Sequence, residues 1–508
     1  MTADLVTSTS TAAPVSVSPV THVGCEATSG QTLLLSVPSG HNAANLLQSA
    51  FVRTLIDGGA RLVVLSPFAA DPRFTEGFAS PRLTFEPLCP YAPRPLELAV
   101  ESILSEQFLL TSRLRAVRLQ RDRARLMDDW NGRMTLGALK SIVSRLPIAR
   151  RHWFRVAAAL VDGRHYDALL RRHRPALVVT STAGFLLAEV PLIYAAKRRG
   201  VPQAGVDLGW DNLSSKYHTI RPVDFLAVWN ETMRDEAVRY HGLSPDRVRV
   251  TGATQLDGYF GSERVASRSA FFSAIGGDAS RRLITLATAP HAVYPGTAAI
   301  VRHLAAAVAA DRLGTAAQLL VRVHPRDDHD VYRAFSRMPH VMVQKPFERR
   351  DVARDLPRFD AVMPSPEDRR HLAATLAHSD VVVNFASTTT VEACLVDTPV
   401  VNVGFDDVPD LPLPLSIRRY YHYEHYRPVV ETGAVRIAGS MNDLVSAVRA
   451  YLAHPETDRE ARRELVRRMY PFTDDGAGVR VARWVLELAE TAGQWAARPL
   501  PSWFAAAS

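Results

Sequence analysis

The sequence predicts an α/β protein with two parallel-sheet halves, and three observations support this. Residues 378–406 read as a buried strand, a hydroxyl-rich turn, a short helix and a second buried strand. Near the other end, residues 32–66 read as strand, helix and strand. The chain has 508 residues, 47% hydrophobic and 22% charged, which is long enough for two or three domains with sizeable cores. Strands that alternate with helices in this way are typical of parallel sheets.

The N-terminal half opens with a strand at 32–37 that runs into the loop Pro-Ser-Gly-His-Asn. A helix is expected over about 43–57, closed by two glycines and followed by a strand at 61–66. The Gly-x-Gly-x-x-Gly fingerprint is missing, so a nicotinamide-dependent dehydrogenase is not expected. The remaining elements predicted for this half are strands at 176–180, 203–206, 225–229 and 248–251, and helices near 185–199 and 231–241.

Positive charge is concentrated in one segment of this half. Residues 113–174 contain sixteen Lys or Arg and five Asp, a net charge of +11 in a chain whose formal net charge is +8. The apolar spacing of the segment is helical. Three interpretations are open: a solvated face, a surface attracted to anionic lipid or to a polyanionic acceptor, and nucleic-acid binding. Nucleic acid ranks last, because no recognised nucleic-acid-binding module accompanies the charge.

The C-terminal half is predicted to follow a linker with helical content at about 256–280. A strand at 283–287 begins it, and a strand at 318–323 ends in His-Pro-Arg. Strands at 380–384 and 399–403 flank the hydroxyl-rich turn. A closing helix is expected from about 476 to 493.

The hydroxyl-rich turn is a candidate site for a phosphate or diphosphate. It precedes a helix, and helix N-termini carry free N–H groups and a partial positive charge. A purely structural explanation is also open, because Thr389 and Glu392 have capping-box spacing. Upstream, Arg322 and Arg326 bring two guanidinium groups to the carboxyl end of a strand, where ligands of open α/β sheets bind. This second element favours a nucleotide.

These motifs together resemble the nucleotide-binding half of GT-B glycosyltransferases. The resemblance rests on His-Pro-Arg after a strand, Pro-Ser before a helix, Ser-Asp-Val-Val-Val, Ser-Thr-Thr-Thr-Val-Glu-Ala and Thr-Pro-Val-Val-Asn-Val. It is closest to the bacterial branch of surface-polysaccharide transferases and glycerol-phosphate polymerases, and sugar-nucleotide epimerases share the same half-domain. It covers residues 280–490 well and 175–260 more loosely. It implies a GT-B fold, in which two Rossmann-like domains face a cleft, with the basic segment as a helical insertion.

The resemblance also suggests how the chain is divided. A disordered tail is expected at 1–29, because this Ser- and Thr-rich stretch lacks the pattern of a signal peptide. An acceptor-side domain is expected at 30–265, with the helical insertion at about 97–174, and a donor-binding domain at 266–475. The C-terminal helix and tail, 476–508, are expected to cross back to the first domain. No window offers about 20 uninterrupted apolar residues, so the expected location is cytoplasmic, with peripheral contact at the inner face of the membrane as an open alternative.

On the donor side, charge-assisted hydrogen bonds to a nucleoside diphosphate are expected from basic and hydroxyl side chains after two strands. These residues are His324, Arg326, Ser387, Thr388 and Thr389. The resemblance implies that Glu392 accepts hydrogen bonds from the ribose hydroxyls. It also implies that the loop with Pro364 and Ser365 meets the nucleobase. His291 is a further donor-side candidate.

A catalytic base should follow a strand of the acceptor-side domain, and two residues qualify. His41 follows the first strand, where GT-B enzymes of the plant and antibiotic type often carry a catalytic His; a plain loop role is the alternative. Asp211 lies in a polar loop where glycerol-phosphate polymerases carry His-Gly. This chain has no His there, which weakens a polymerase-type mechanism. Trp210, Asn212 and Lys216 are assigned to the acceptor side, with Trp210 either stacking on a sugar or anchoring the loop by packing.

No metal or other cofactor is expected. Cys25, Cys89 and Cys394 are far apart and show no Cys-x-x-Cys spacing, which argues against a disulfide framework and a structural zinc site. Acidic fragments at 327–330 and 406–407 leave a metal-dependent transferase as a minor alternative. GT-B sites generally use helix dipoles and basic side chains in place of a metal.

The predicted function is metal-independent transfer of a glycosyl group from a nucleotide sugar to a carbohydrate or lipid-linked acceptor, in the synthesis of cell-surface or secondary glycans. Three alternatives are kept: a CDP-activated glycerol- or polyol-phosphate transferase, a UDP-sugar epimerase, and a non-catalytic GT-B scaffold that binds a glycan or a partner. The partners expected are therefore a nucleotide-sugar donor and a glycan or lipid-linked acceptor, with anionic membrane as a candidate contact for residues 113–174 and no nucleic acid.

Overall fold

The structure is a computed structural model that describes residues 30–127, 144–145, 148–216, 221, 223–260, 266–327, 330–346, 360–474 and 476–491. The predictions for the tail at 1–29, for Cys25, for Asp328 and His329 and for the tail at 492–508 fall outside these ranges.

The N-terminal half contains a seven-stranded sheet in which every pairing is parallel. Its strands are β1 (Thr32–Ser36), β2 (Arg61–Ser66), β3 (Leu83–Pro87), β4 (Leu177–Thr180), β5 (Gln203–Val206), β6 (Phe225–Val228) and β7 (Val248–Val250). They are ordered β3-β2-β1-β4-β5-β6-β7. Leu33 of β1 lies opposite Leu62 of β2 and Leu177 of β4, so the centre of the sheet is apolar on both sides of β1.

The C-terminal half contains a six-stranded sheet, again parallel throughout. Its strands are β8 (Arg282–Ala287), β9 (Ala317–Arg322), β10 (Val341–Gln344), β11 (Val381–Asn384), β12 (Val400–Val403) and β13 (Arg436–Ala438). They are ordered β10-β9-β8-β11-β12-β13. The predicted fold class, α/β with two parallel sheets, is confirmed.

Helices cover both sheets, as parallel strands require for their connections. Those of the N-terminal half are Gly40–Leu47, Ala50–Asp57, Pro72–Glu76, Pro95–Ser112, Arg115–Leu126, Arg150–Leu160, Arg164–His173, Val190–Arg198, Asn212–Ser215 and Glu231–His241. Those that follow are Arg268–Ile275, Thr297–Ala309, Asp330–Arg333, Pro366–His378, Thr388–Leu395, Arg427–Thr432, Met441–Ala453, Arg459–Met469 and Ala477–Glu490.

The single helix predicted at 43–57 is wrong, since this segment forms two helices. Gly40–Leu47 ends at Gln48, and Ala50–Asp57 begins after Ser49. Ser49 has extended backbone, and its hydroxyl accepts the N–H of Phe51 at 3.2 Å. Because a serine in this conformation satisfies the first N–H groups of a new helix, the chain restarts there instead of continuing.

The described parts of the basic segment are helical, as predicted, and they join the two halves of the molecule. At the start of Arg115–Leu126, the carboxylate of Glu424 accepts the N–H groups of Arg115 at 2.6 Å and Ala116 at 3.1 Å. A carboxylate at this position also interacts favourably with the helix dipole. None of the described helices combines the length and apolar character needed to cross a bilayer.

Three large apolar clusters stabilise the molecule. The first packs the strands of the N-terminal sheet against Ala477–Glu490, whose Trp484 is among its members. The second fills the C-terminal half. The third contains residues from both halves, including Trp210, Val391 and Tyr426. The two halves therefore share part of their core.

Candidate functional site

The carboxyl edges of the two sheets face each other. The strand order reverses between β1 and β4 in one sheet and between β8 and β11 in the other, and ligands of open α/β sheets bind at such points. Gly40, shortly after β1, donates its N–H to the carbonyl of Asp360 at 2.8 Å. The side chain of Gln48 donates to the carbonyl of Pro364 at 3.0 Å. These contacts bring both switch points to one cleft.

His41 lies at this junction, in the first turn of the helix after β1. Ser39 caps that helix by accepting the N–H of Asn42 at 3.2 Å. The amide of Asn42 donates to the carbonyl of Ser181, just after β4, at 3.3 Å, which connects the loops on the two sides of the switch point. His41 is close enough to His324 of the other half to act on it electrostatically. A predicted acceptor-side residue is thus near a predicted donor-side residue.

The loop after β5 carries an ion pair. Lys216 donates from Nζ to Oδ2 of Asp211 at 2.9 Å, and the hydroxyl of Ser215 donates to the same oxygen at 3.0 Å. Burial on its own would raise the pKa of Asp211, but Lys216 and then His425 outweigh it and lower the pKa to about 2. Asp211 is therefore a permanent carboxylate near neutral pH and a weak proton acceptor.

A second carboxyl group, Asp207, lies in the same loop and is buried. It accepts the N–H of Gly209 at 3.0 Å and the side-chain amide of Asn212 at 2.6 Å. Burial raises the pKa of Asp207 to about 7. Asn212, predicted to face the acceptor, thus uses its amide within the loop. Glu236, on a neighbouring helix, is a third acid, whose pKa burial raises to about 8.

Trp210 is a packing residue. Its ring is only 5% exposed. It lies edge-on to His425 with 5.1 Å between ring centroids, and 5.6 Å from the ring of Tyr426. Of the two roles considered for Trp210, this placement corresponds to the packing anchor, because no ring face is open to a sugar.

His324 and Arg326 follow β9 at the C-terminal side of the cleft. Burial, and then the charges of Arg326 and His41, lower the pKa of His324 to about 4, so its ring is neutral at neutral pH. Its Nδ1 accepts the backbone N–H of Arg326 at 3.1 Å, which leaves the ring proton on Nε2. His324 therefore carries a neutral N–H donor instead of the cation that was expected. Arg326 is exposed. The pKa of Lys216 is raised, mainly by Asp211, and the charge of Arg326 opposes this shift.

The hydroxyl-rich turn follows β11 and starts the helix Thr388–Leu395, as predicted. The cap is Ser387, whose hydroxyl accepts the N–H of Thr389 at 3.2 Å. The capping box considered for Thr389 is therefore not the cap of this helix. Only β8 separates β9 from β11, so the turn and His324 lie about 10 Å apart across the sheet edge. One nucleotide can span that distance.

In the first turn of this helix, Thr390 connects the donor side to the core shared by the halves. Its hydroxyl is hydrogen-bonded to the hydroxyl of Tyr426 at 3.0 Å and donates to Asn384 at 3.2 Å. Tyr426 in turn packs on Trp210 of the other half. The donor-side helix and the acceptor-side loop thus contact the same aromatic residue.

Glu392 lies near Arg322 and Tyr259. Burial raises the pKa of Glu392 to about 7, while Arg322 and the hydroxyls of Thr389 and Tyr259 act in the opposite direction. Arg322 is only 7% exposed. Of the two guanidinium groups expected at the end of this strand, Arg322 is therefore buried beside Glu392, and only that of Arg326 is accessible to a ligand.

Three predicted donor-side residues form hydrogen bonds within the protein. Pro364 is buried and accepts a hydrogen bond from Gln48 of the other half. Ser365 caps the helix Pro366–His378. His291 is exposed and donates its backbone N–H to Asp327 at 2.9 Å. Their predicted ligand contacts stay predictions.

Four residues of the cleft region were not predicted from sequence: Asp207, Glu236, Tyr259 and His425. Asp207 could have been recognised, since it stands directly after a strand at the ligand-binding edge. The other three carry no local signal, because they come from separate elements that only the tertiary structure brings together.

No metal site is formed by the described residues. Within those ranges, no group of three or more His, Cys, Asp or Glu side chains is placed to hold a metal ion. Asp406, one of the acids considered, accepts hydrogen bonds from the hydroxyl of Ser416 and from the N–H of Ile417 at 2.8 Å.

Comparison with known proteins places the chain in a fold. No model of a protein family matches the sequence, and neither does any curated protein. Among solved structures, a UDP-GlcNAc 2-epimerase from Neisseria meningitidis, bound to UDP-GlcNAc, is similar with a TM-score of 0.52 and 11% identity over 90% of this chain and 100% of that one. The UDP-GlcNAc 2-epimerase of Methanocaldococcus jannaschii has a TM-score of 0.50, with 12% identity over 90% of this chain and 99% of that one. Staphylococcus aureus MnaA with UDP has a TM-score of 0.50, with 12% identity over 90% and 97%. The two parallel-sheet α/β halves of this chain thus form a GT-B fold.

Proposed function

We propose that the protein is a nucleotide-sugar enzyme that transfers a glycosyl group to an acceptor hydroxyl. The observation that supports this best is the convergence of Lys216 and His41 from one half with His324 and Arg326 from the other. Such a site contains two cations, a neutral N–H donor and an imidazole. These groups match the needs of a reaction in which a diphosphate leaves and a hydroxyl loses its proton.

The donor diphosphate would lie between the strand ends of β9 and β11. His324 would donate from Nε2, and the N–H groups at the start of Thr388–Leu395 would add further donors and a favourable dipole. Arg326 and Lys216 would offset the negative charge that builds up on the leaving group. Glu392 would accept hydrogen bonds from the ribose.

His41 is the better of the two candidate bases. Asp211, with a pKa of about 2 and a short ion pair to Lys216, is too weak a base to take a proton from a hydroxyl near neutral pH. In this proposal Asp211 positions Lys216, and His41 takes the proton.

The first test is thermal stabilisation of the purified protein by UDP, GDP, CDP, dTDP and CMP, because a ligand of the folded state raises the melting temperature. One nucleotide is expected to stabilise the protein, with the effect lost in Glu392→Ala and His324→Ala. Glu487→Ala and His303→Ala remove the same side chains at exposed positions and should leave it unchanged. Stabilisation by none of the five in a folded sample would favour a non-catalytic scaffold.

Epimerisation of a UDP-sugar is the second candidate. It comes from the similar structures of the N. meningitidis and M. jannaschii enzymes, which are UDP-GlcNAc 2-epimerases. Product analysis separates the candidates. Release of a nucleoside diphosphate that depends on an added acceptor supports glycosyl transfer, and interconversion of UDP-sugars without acceptor supports epimerisation. Release of CMP would instead support transfer of a polyol phosphate.

A further inference from the structure

A cluster of basic side chains lies where the helical insertion meets the C-terminal half. On the insertion, Arg115 and Arg118 are exposed and lie one turn apart on the helix Arg115–Leu126. On the C-terminal half, Arg418 is half-exposed and His422 is exposed. These four residues are called the basic cluster.

Three acids close to the basic cluster, Asp122, Glu424 and Asp406, have other partners. Asp122 lies one turn after Arg118 and is 3.7 Å from Arg125. Glu424 accepts two N–H groups at the start of the helix. The side chain of Asp406 is 8% exposed, accepts the N–H of Ile417, and lies 3.8 Å from Arg418. Arg418 also donates to the hydroxyl of Ser416 and to the carbonyl of Leu411, each at 2.9 Å. Among the described residues, neither Arg115 nor Arg118 forms an ion pair with an acidic side chain. The helix Arg115–Leu126 contains five Arg and one Asp, so positive charge is in excess on this side of the junction.

The cluster is formed by both halves together. Besides burial, the charges of Arg115 and Arg418 lower the pKa of His422, which places this imidazole within reach of a guanidinium from each half. The apolar contacts beneath them, between Leu119 of the insertion and Tyr423, hold the two sides together.

The helix of the insertion also reaches the proposed reaction site. Five residues after Arg115, about 8 Å along the helix axis, Gln120 donates to the carbonyl of Ser215 at 2.5 Å. The next residue is Lys216, whose ammonium pairs with Asp211 in the cleft. The helix that carries Arg115 and Arg118 thus also contacts the loop that carries Lys216.

We propose that the basic cluster binds phosphate groups of the acceptor, so that the acceptor is an anionic, phosphate-bearing chain and not a neutral sugar. Arginine forks suit phosphate, since they donate paired, charge-assisted hydrogen bonds. Arg115 and Arg118 lie where the two halves meet, so a ligand bound to them would extend across the junction towards the loop of Lys216. The inference rests on the proposed function, because it names the acceptor class for the same cleft.

The test is isothermal titration of the full chain with sodium tripolyphosphate at low salt. Arg115→Gln with Arg118→Gln is expected to weaken binding about tenfold, through loss of the charge-assisted bonds. The control pair Arg61→Gln with Arg171→Gln removes the same charge near the opposite, amino edge of the sheet and should change affinity less than about twofold. Tripolyphosphate also fits the proposed diphosphate site, so both double variants are repeated in an Arg326→Gln background, where the tenfold loss caused by Arg115→Gln with Arg118→Gln should persist. Melting temperatures of all variants verify folding.

Three outcomes would overturn the proposal. An equal loss of tripolyphosphate affinity in both double variants would mean that the overall positive charge of the protein attracts this anion non-specifically. Loss in Arg326→Gln alone would mean that tripolyphosphate occupies the donor site. The third outcome concerns membranes. If Arg115→Gln with Arg118→Gln no longer sediments with phosphatidylglycerol vesicles but still binds tripolyphosphate, the cluster is a membrane-binding surface. The test also distinguishes failure of the proposed function. In that case no nucleotide stabilises the protein, although tripolyphosphate binding still requires Arg115 and Arg118. The phosphate site would then stand, and its assignment to an acceptor would be overturned.

Discussion

At the scale of single residues, pairing with one lysine separates the pKa values of two neighbouring acids. Asp207 and Asp211 lie in the same loop, and burial alone would raise the pKa of both. Lys216 pairs with Asp211 and brings its pKa to about 2, whereas Asp207 has hydrogen bonds to neutral amides and its pKa is about 7. Sequence alone could not separate these roles, because both acids stand in one polar, glycine-containing loop.

If His41 is the base, His41→Ala should lower the turnover number by about 10²–10⁴-fold, the contribution typical of a positioned proton acceptor. Stabilisation by the donor nucleotide should persist, because His41 is not among the proposed donor contacts. Steady-state kinetics and thermal melts measure the two effects. His303→Ala, an exposed helical position, is the control. Unchanged turnover in His41→Ala would mean that another group is the base.

Glu236 gives a prediction about stability and pH. Burial raises its pKa from 4.5 to about 8, and the nearby acids Glu424, Asp207 and Asp211 add to this shift against the opposing hydrogen bond of Ser214. A carboxyl group whose pKa is higher in the folded state stabilises the fold below pH 4.5, and that contribution is lost as the pH rises through about 8.

Glu236→Gln, which mimics the protonated form, should therefore match the wild type at about pH 4.5 and be more stable by about 2–4 kcal/mol at pH 9. Urea unfolding at the two pH values measures this difference. Glu487→Gln, at an exposed position, should show no such pH dependence. A constant difference between wild type and Glu236→Gln at both pH values would contradict the prediction.

At the scale of elements, sequence patterns were most reliable in the middle of each sheet. The predicted strands 61–66 and 203–206 match β2 and β5. The strands that were missed, β3, β10 and β13, all lie at sheet edges and are only partly buried. Because an edge strand buries fewer side chains, its apolar pattern is weaker and harder to recognise.

The candidate site was predictable to a similar, partial extent. The turn after β11 and the residues after β9 were recognised because their signals are local. Contacts between the halves, such as Trp210 with Tyr426, depend on side chains far apart in sequence, and no local pattern indicates them. The neutral state of His324 likewise depends on burial, which the sequence does not show.

The cap that Glu424 provides to a helix of the other half leads to a third prediction. Glu424→Gln removes the charge at the start of Arg115–Leu126 and should cost about 1 kcal/mol, since a capping carboxylate also interacts with the helix dipole. Hydrogen exchange of the amides at 115–118 should become faster. Glu431→Gln, in the nearby helix Arg427–Thr432, is the control. Unchanged exchange at the helix start would mean that the cap is dispensable.

At the scale of the whole molecule, the contact between the halves depends on a close backbone approach. A Cβ at Gly40 would lie 2.3 Å from the carbonyl oxygen of Val362 and 2.8 Å from the Cα of Met363. Both neighbours belong to the backbone and cannot rotate away. Gly40 is thus required by the distance between the halves, and His41 follows it directly.

Gly40→Ala should therefore separate the halves at this point, at a cost of about 1–3 kcal/mol for the forced backbone shift. Small-angle scattering should report a larger radius of gyration, and turnover should fall as His41 moves away from His324. Gly258→Ala is the matched control, because no atom lies within 4 Å of its added Cβ. Identical scattering curves for the two variants would show that the interface adapts.

The apolar cluster shared by the halves has a consequence for exchanging parts between proteins. Trp210 comes from one half, while His425 and Tyr426, on which it packs, come from the other. A chimera that combines one half of this chain with the complementary half of another GT-B protein would leave this indole without its partners. Chimeras joined at the linker near 256–280 would fold well only when both halves retain matching residues at Trp210, His425 and Tyr426.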